Sequence, residues 1–305
     1  MDSLENFTQL LRDKQNLEDD QIRLCIDFLT AEKVLLEEKE DFLLSLALKG
    51  ETAEETASFI NYFRELARNP ELHEFSDQAI DLCGTGGDRA GSFNISTFVS
   101  FILASAGVPV IKHGNRSISS KCGSADLLEA IGIPLELDIN QINESIKQLS
   151  FTFLFAPSFH PAFKHIAPVR KELAKKGIIT IFNILGPLIN PARPGFQLLG
   201  VYAQELVSRI GNSLKQTGIK SGYVVHGCVD DHPTITGVDE LTSSGQNIIC
   251  GFEQKKGIRN QIWGPEKFGL EYSNISDIKG GDLKRNLELM NLLSVSYTHL
   301  RAHET

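Results

Sequence analysis

The first 70 residues alternate apolar and charged positions with the period of an α-helix. Apolar side chains such as Leu4 and Phe7 recur three or four positions apart, which places them on one helix face. Thr52 and Glu55 have the T-x-x-E spacing of a capping box, in which each side chain bonds the other residue's backbone N–H. Residues 1–70 are therefore predicted to form a small helical domain.

From about residue 75 the pattern changes to short apolar runs, each followed by a glycine-rich turn and a segment of helical period. This alternation is typical of an α/β domain. The predicted strands span residues 79–83, 108–112, 151–155, 197–202, 222–226 and 247–252. The predicted helices span residues 96–106, 125–131, 139–149, 161–176 and 204–217. We expect an α/β protein with a helical domain (1–70) and a large domain (75–293) that has a central mixed, mainly parallel sheet flanked by helices. A middle segment of the large domain is expected to pack back onto the helical domain.

The composition is that of a soluble globular protein and limits the expected partners. The 305 residues include 41% hydrophobic and 23% charged residues, and the formal net charge is −9. An acidic surface argues against non-specific binding to nucleic acid or to anionic membranes. The sequence shows no signal peptide pattern and no apolar run of membrane-spanning length, so we expect a cytoplasmic protein. The five cysteines lack a C-x-x-C pair, which favours reduced thiols over a disulfide or zinc framework.

A glycine-rich turn directly follows the first predicted strand, where residues 84–88 read Gly-Thr-Gly-Gly-Asp. Three glycines in four positions allow backbone N–H groups to approach an anion without obstruction. Residues 94–97, Asn-Ile-Ser-Thr, then place polar side chains at a helix N-terminus, where the helix dipole favours phosphate. The turn matches neither G-x-G-x-x-G nor a P-loop, and alone it would equally fit a tight strand-to-helix turn. Together the two segments predict a phosphate-binding site.

A basic stretch follows the next predicted strand, because residues 112–116 read Lys-His-Gly-Asn-Arg and several hydroxyls follow up to residue 126. The stretch has neither helical nor strand period. Ligands of open α/β sheets bind beyond the carboxyl ends of the strands. Cations concentrated there, in an acidic protein, predict a polyanionic small molecule as ligand. A solvated charged loop is the alternative interpretation, and His113 alone would more often be a structural hydrogen-bonding residue.

These segments, in this order, resemble the signature of anthranilate phosphoribosyltransferase, an enzyme of tryptophan biosynthesis in the nucleoside phosphorylase/phosphoribosyltransferase superfamily. The similar blocks are residues 84–88, 94–97 and 112–126. The similarity continues in residues 160–164, 167–173, 182–192 and 238–241 and covers about residues 1–285.

The resemblance implies an enzyme that transfers the 5-phosphoribosyl group of phosphoribosyl pyrophosphate (PRPP) to the amine of anthranilate. The products would be N-(5-phosphoribosyl)anthranilate and pyrophosphate, and Mg²⁺ would be the cofactor. No side chain is assigned as a general acid or base, because the aromatic amine is already neutral at cellular pH and positioning can supply much of the acceleration. The resemblance also implies a homodimer formed through the helical domain and allows an association with anthranilate synthase. Nucleic acid and membranes are not expected as partners.

The resemblance assigns three sets of site residues. The PRPP contacts are Gly84, Gly87, Asp88, Ser92, Asn94, Ile95, Ser96, Thr97, Lys112, His113, Gly114, Asn115, Arg116, Ser117, Ile118, Ser119, Ser120 and Ser124. The anthranilate contacts are Gly84, Asn115 and Arg170, with His113, Gly186 and Pro187 lining the same pocket. The metal ligands are Ser96, Asp239 and Glu240. Without the family resemblance, Asp239 and Glu240 would be interpreted as two surface acids, and Arg170 as a residue on the solvated face of a basic helix.

Three stretches depart from the family pattern. Residues 228–237 are longer than the usual link before the acidic pair, and Asp230 and Asp231 compete as metal ligands. Residues 174–179 also look expanded, which alters the pocket wall after Arg170. Residues 294–305 match nothing that the family leads us to expect, and we interpret them as a non-native tail. It would stand in place of further helices that cover the α/β domain in the family, and the absence of those helices would lower the stability of the fold.

Two other classes of function compete with this interpretation. A pyrimidine nucleoside phosphorylase, or a related phosphoribosyltransferase with another acceptor, would share the architecture, but the blocks at residues 84–88 and 112–116 disfavour the phosphorylase. A non-catalytic anion-binding or nucleic-acid-binding protein could use the same basic loop. The net charge of −9 weighs against nucleic acid.

Overall fold

A computed structural model describes residues 3–88, 90–116, 121–230, 232 and 234–302 of the chain. Four α-helices come first: α1 (Leu4–Arg12), α2 (Asp19–Thr30), α3 (Leu36–Lys49) and α4 (Ala53–Glu65). The predicted capping box opens α4, because Thr52 accepts from the Glu55 N–H at 3.1 Å and Glu55 accepts from the Thr52 N–H at 2.8 Å. The apolar faces of these helices bury large side chains such as Phe42 and Phe59 in a common core.

The described residues between Ile80 and Trp263 include one eight-stranded sheet. The strands are β1 (Ile80–Gly84), β2 (Val110–Gly114), β3 (Phe151–Phe155), β4 (Phe196–Gly200), β5 (Ser221–Cys228), β6 (Gly237–Val238), β7 (Asn247–Glu253) and β8 (Gly257–Trp263). Their order is β3-β2-β1-β4-β5-β7-β8, with β6 beside β5. Strands β1 to β5 pair in parallel, whereas β6, β7 and β8 pair antiparallel. The prediction of an α/β fold on a mixed, mainly parallel sheet is confirmed.

Nine further α-helices connect and cover these strands in the part of the chain that the structure describes. They are α5 (His73–Ser76), α6 (Ile95–Ser105), α7 (Ser124–Ala130), α8 (Ile139–Leu149), α9 (Ala156–Phe159), α10 (Ala167–Lys175), α11 (Phe182–Leu185), α12 (Gln204–Lys215) and α13 (Leu283–Ala302). Helices α6 and α8 pack against β1 to β3, and α12 packs against β5 and β7. Within the described residues, no helix has both the length and the apolar character needed to cross a membrane.

The segment between β3 and β4 packs against the N-terminal helices. Phe163 and Phe182 contact Phe63 of α4, with ring centroids 4.9 and 5.6 Å apart. Lys39 of α3 is buried and donates from Nζ to the Ala31 carbonyl oxygen at 2.8 Å and the His165 carbonyl oxygen at 3.4 Å. One hydrophobic core therefore runs from the four N-terminal helices into the layer that contains α10, α11 and α12.

Local structure differs from the predicted elements in several places. The predicted helix over residues 161–176 is divided into a 3₁₀ turn (Pro161–His165) and α10, because Pro168 has no N–H to continue the preceding turn. Strand β8 was not predicted, since four of its seven side chains are exposed and it lacks an apolar run. The two-residue strand β6 and helix α13 were also not predicted, and α13 is helical as far as Ala302.

Candidate functional site

The predicted site segments meet at the carboxyl edge of the parallel strands. Gly84 at the end of β1 is paired in register with Gly200 at the end of β4. Gly114 at the end of β2 is paired with Phe155 at the end of β3. The polar loops that follow β1 and β2 therefore leave the sheet side by side. The acidic pair after β6 reaches the same edge, because β6 is antiparallel to the end of β5.

The glycine-rich turn has the backbone conformation that its sequence predicts. Gly86 and Gly87 have φ angles of 67° and 89°, a region that side chains disfavour. The turn is held on both sides: Thr85 Oγ1 accepts from the Tyr202 N–H at 3.1 Å, and the Gly86 N–H donates to Asp239 Oδ2 at 2.6 Å. Both glycines are solvent-exposed, and because Asp239 already accepts from the Gly86 N–H, Gly87 is the one of the two whose backbone is available to a ligand.

Glycines at the ends of the strands let the acidic pair approach the sheet. A Cβ atom on Gly84 would lie 2.3 Å from Asp239 Oδ2, and one on Gly200 would lie 1.5 Å from the Asp239 carbonyl oxygen. A Cβ atom on Gly227 of β5 would lie 2.6 Å from the Glu240 carbonyl oxygen. Real side chains do not tolerate such separations, so glycine at these positions allows Asp239 and Glu240 to lie directly across the strand ends.

Three carboxyl groups crowd together at this edge. Burial, the charge of Asp88 and a hydrogen bond with Asp88 raise the pKa of Asp239 to about 7. Burial and the neighbouring Asp239 raise the pKa of Glu240 to about 8, although Lys112 opposes the rise. The Asp239 N–H also faces Asp88 Oδ2 at 3.4 Å. Acidic groups are thus concentrated at the point where the two polar loops leave the sheet.

Lys112 of β2 lies beneath this cluster with 2% of its surface exposed. Its Nζ donates to the Leu82 carbonyl oxygen and, at 3.2 Å, to Ser96 Oγ. Burial lowers the pKa of Lys112, while Asp81 and Glu240 oppose that effect. A predicted PRPP contact, Lys112, and two predicted metal ligands, Ser96 and Glu240, are therefore neighbours.

The remaining predicted residues of the basic stretch are engaged to different degrees. Arg116 donates to Glu129 at 2.8 and 3.0 Å and to Asp126 at 3.2 Å, so carboxylates already hold part of its guanidinium. Asn115 is exposed, and Ser124 Oγ donates to the Asn115 carbonyl oxygen at 3.4 Å. The predicted contacts Ser117, Ile118, Ser119 and Ser120 lie outside the described residues, as does the competing ligand Asp231. Asp230 is solvent-exposed.

A series of rings leads from the basic stretch to Arg170. His113 contacts His160 with centroids 5.1 Å apart, and His160 contacts Phe163 at 5.7 Å. Phe163 in turn contacts Phe182 at 5.7 Å. Arg170 lies over the Phe182 ring at 5.8 Å and donates from Nη2 to the Phe182 carbonyl oxygen at 3.2 Å. Burial lowers the pKa of Arg170, so its guanidinium is not on a freely solvated face.

Several residues that support the site were not among the predicted ones. Gln197 of β4 is buried, and its Nε2 donates to the Pro187 carbonyl oxygen at 2.8 Å, which fixes the Gly186–Leu188 turn. Asn190 donates to Asp81 Oδ2 at 3.0 Å and to the Ile111 carbonyl oxygen at 2.9 Å. Burial raises the pKa of Asp81 to about 6. A polar residue inside an otherwise apolar strand, as at Asp81 and Gln197, was the available sequence signal.

The buried His160 predicts a loss of stability in mild acid. Burial lowers its pKa to about 4, below the 6.5 of a free histidine. The unfolded chain therefore binds more protons between these values, and stability falls as the pH drops from 7 towards 4. Relative to His160→Phe, which does not titrate, wild-type protein should lose ~2 kcal/mol of unfolding free energy between pH 7 and pH 5. Urea denaturation of both proteins measures this, and parallel pH profiles would contradict it.

The donor set fits a magnesium ion shared with a phosphate ligand. Among residues 3–88, 90–116, 121–230, 232 and 234–302, no group of three or more His, Cys, Asp or Glu side chains forms a complete metal site. Magnesium is usually bound through one or two carboxylates, with waters and substrate phosphates completing its octahedral shell. Asp239 and Glu240 supply such carboxylates, and their pKa values are raised first by burial and then by the neighbouring carboxylates, whose repulsion a cation would relieve.

The chain is similar to known proteins over most of its length. The family described as "Glycosyl transferase family, a/b domain" matches residues 76–303. The anthranilate phosphoribosyltransferase of Petrotoga mobilis is 42% identical over 276 residues, which cover 90% of this chain and 76% of that protein. A crystal structure of the Thermus thermophilus anthranilate phosphoribosyltransferase has 37% identity and a TM-score of 0.80, over 93% of this chain and 80% of that one. The Saccharomyces cerevisiae enzyme in complex with PRPP and Mg shares the fold, with a TM-score of 0.77 and 23% identity over 94% and 80%.

Proposed function

The chain belongs to the anthranilate phosphoribosyltransferase family, and we propose that it transfers the 5-phosphoribosyl group of PRPP to the amine of anthranilate in tryptophan biosynthesis. The observation that supports this most strongly is the meeting of three features at one sheet edge. These are the exposed glycine turn at Gly86 and Gly87, the buried cation Lys112 and the acidic pair Asp239 and Glu240. A polyanion that carries its own metal ion fits all three.

PRPP is proposed to lie across the glycine turn and the start of α6. Backbone N–H groups of the turn and the N-terminal end of α6 favour phosphate oxygens. Lys112 adds positive charge from below, and its bond to Ser96 Oγ holds that hydroxyl at the edge of the sheet. Carboxylates and phosphates would repel each other here without a cation between them.

Magnesium is proposed to be held by Ser96, Asp239 and Glu240 together with PRPP oxygens. Bound there, it would stabilise negative charge on the departing pyrophosphate. Asp88 lies beside Asp239 and contributes to the same negative field. Asp230 is exposed, so we retain Asp239 and Glu240 as the ligands.

Anthranilate is proposed to occupy the space bounded by Asn115, His113 and the Gly186–Leu188 turn, with Arg170 recognising its carboxylate. A guanidinium can bind a carboxylate through two parallel hydrogen bonds. Burial lowers the pKa of His113 well below its usual value and therefore keeps its ring neutral, so it adds no charge to this pocket. A neutral pocket wall suits the aromatic ring of the acceptor.

The reaction forms a bond from the anthranilate nitrogen to C1 of the ribose and breaks the bond from C1 to pyrophosphate. The nitrogen then loses one proton, which we expect to pass to solvent because no side chain is assigned as a base. The chain's own residues hold the two substrates in line, and Lys112 and the α6 terminus stabilise the separating negative charge. Water exclusion by the ring series from His113 to Phe182 would protect the ribose cation from hydrolysis.

The proposed function is tested by following the loss of anthranilate fluorescence with PRPP and Mg²⁺, and with each omitted in turn. Turnover that requires all three supports the function. Phosphorolysis of a pyrimidine nucleoside without anthranilate consumption would favour the phosphorylase instead.

Arg170→Ala should raise the KM for anthranilate by roughly 10- to 100-fold, the value of one charge-assisted pair. The KM for PRPP should change by less than about threefold, because the phosphate contacts lie elsewhere. Lys171→Ala is the matched control, since Lys171 is an exposed cation on the same helix. Equal anthranilate kinetics in the two variants would remove Arg170 from the acceptor site.

We further propose that residues 1–70 and 75–293 are the two domains and that the protein works in the cytoplasm as a homodimer joined through the helical domain. The exposed apolar side chains of Leu35 and Leu48, which are 61% and 70% accessible, support a contact surface on those helices.

A further inference from the structure

A distant segment of the chain is paired with the loop that precedes α6. The Phe93 N–H donates to the Ile278 carbonyl oxygen at 2.9 Å, and the Gly280 N–H donates to the Gly91 carbonyl oxygen at 2.9 Å. Ser92 and Lys279 form an isolated antiparallel bridge between them. Residues 91–93, between the glycine turn and the proposed PRPP contacts of α6, are therefore held by a short two-stranded ladder.

Gly280 is required for this close approach. A Cβ atom there would lie 2.6 Å from the Ser92 carbonyl oxygen and 2.8 Å from the Phe93 nitrogen. Both neighbours are backbone atoms, which cannot rotate away as a flexible side chain could. The sequence at this position therefore fixes the distance between the two segments.

The side chain of Asn286 adds a further contact between the loop before α6 and the C-terminal part of the chain. It is 2% exposed, and its Oδ1 accepts from the Asn94 N–H at 3.3 Å. Its Nδ2 donates to the Gly281 and Asp282 carbonyl oxygens, both at 3.0 Å. One carboxamide thus connects the first turn of α13 with Asn94, which occupies the N-cap position of α6.

We propose that Asn286 is a positioning residue for PRPP binding: it holds Asn94, and so the hydroxyls of Ser96 and Thr97, in the orientation that the phosphates require. It does not itself touch the substrates. This inference rests on the proposed function and adds to it a residue outside the sequence blocks from which the site was predicted. We expect Asn286 to affect the binding of PRPP and not the binding of anthranilate.

The test compares wild-type protein, Asn286→Leu and Gly280→Ala with a core variant, Ile22→Val, whose buried side chain lies in the N-terminal helices. Asn286→Leu keeps the size of the side chain and removes all three hydrogen bonds. Steady-state kinetics give the KM for each substrate. Deuterium exchange of a peptide that covers residues 91–97 reports the loop directly, without any need for turnover.

Asn286→Leu is expected to raise the KM for PRPP roughly 10- to 100-fold, with the KM for anthranilate changed by less than about threefold. Exchange in residues 91–97 should accelerate, while β3 should be unaffected. Gly280→Ala should likewise raise the KM for PRPP and leave the KM for anthranilate nearly unchanged. It is the test variant if Asn286→Leu does not fold. Ile22→Val should be less stable than wild type without a selective rise in the KM for PRPP.

The inference is overturned if the KM for PRPP stays within twofold in both variants, or if the two KM values rise together. It is also overturned if Ile22→Val shows the same change in PRPP use. If wild-type protein does not consume anthranilate and PRPP at all, the proposed function fails, and unchanged exchange in residues 91–97 of Asn286→Leu would then remove the positioning role as well.

Discussion

Gly200→Ala is expected to reduce kcat/KM for PRPP by roughly 100-fold or more, although Gly200 has no side chain to contact a substrate. The added Cβ would lie 1.5 Å from the Asp239 carbonyl oxygen and 2.3 Å from its carbonyl carbon. Because both are backbone atoms, the residues from β6 to Glu240 must move away from the sheet edge. A displacement of about 1 Å at a site that positions charges can cost on the order of 100-fold in rate.

Gly251→Ala is the matched control for this variant. Gly251 is also a buried glycine in a strand, but the nearest obstacle to its Cβ is the ring of Tyr223 at 2.9 Å, a side chain that is 44% exposed and can shift towards solvent, unlike a backbone atom. Activity should stay within about threefold of wild type in Gly251→Ala. Gly200→Ala with activity as high as Gly251→Ala would show that the acidic pair tolerates displacement and would weaken its assignment to the metal.

Asp239→Asn is expected to lower turnover by roughly 100- to 10,000-fold and to raise the Mg²⁺ concentration needed for half-maximal activity. The carboxamide keeps the shape of the side chain and can still accept from the Gly86 N–H, which Asp239 Oδ2 binds at 2.6 Å. What it loses is the negative charge that a cation requires. Asp230→Asn is the control, because Asp230 is an exposed acid of the preceding loop and should leave the Mg²⁺ requirement unchanged.

The same substitution should not destabilise the fold when Mg²⁺ is left out of the buffer. The pKa of Asp239 rises from 3.8 to about 7 on folding, so the wild-type protein loses stability as the pH increases through that range. Asparagine removes this loss, and Asp239→Asn should therefore melt at an equal or higher temperature than wild type at pH 8. Lower activity together with a lower melting temperature would indicate general unfolding instead of a lost metal ligand.

Much of the fold was predictable because its buried strands are short apolar runs and helices such as α4 and α8 begin with a capping box. Strand β3 and helix α8 occur where the pattern placed them, since β3 is a short apolar run buried on both faces and α8 buries Ile142 and Ile146 on one face. Strand β8 was missed for the opposite reason, because an exposed edge strand has no apolar pattern to detect.

The candidate site was predictable only where local sequence carries the chemistry. The glycine turn directly follows strand β1, and Lys112 lies near the end of strand β2. Their positions in the sequence relative to these strands therefore indicate that they lie at the sheet edge. The contacts of Asn94 with Asn286 and of Gly86 with Asp239 join residues 192 and 153 positions apart, and no local pattern encodes such pairs. The Asp239 and Glu240 assignment therefore depended on family resemblance, and the support from Gly200, Gln197 and Asn286 became visible only in three dimensions.

The separation between Asn94 and Asn286 also has a consequence for protein synthesis. At about 5–20 residues per second, a ribosome needs roughly 10 to 40 s to add the 192 residues between them. During that interval the loop before α6 has been made but lacks its ladder partner at Ile278 and Gly280. A nascent chain would therefore acquire its phosphate-binding geometry late, after strands β1 to β8 have already been translated.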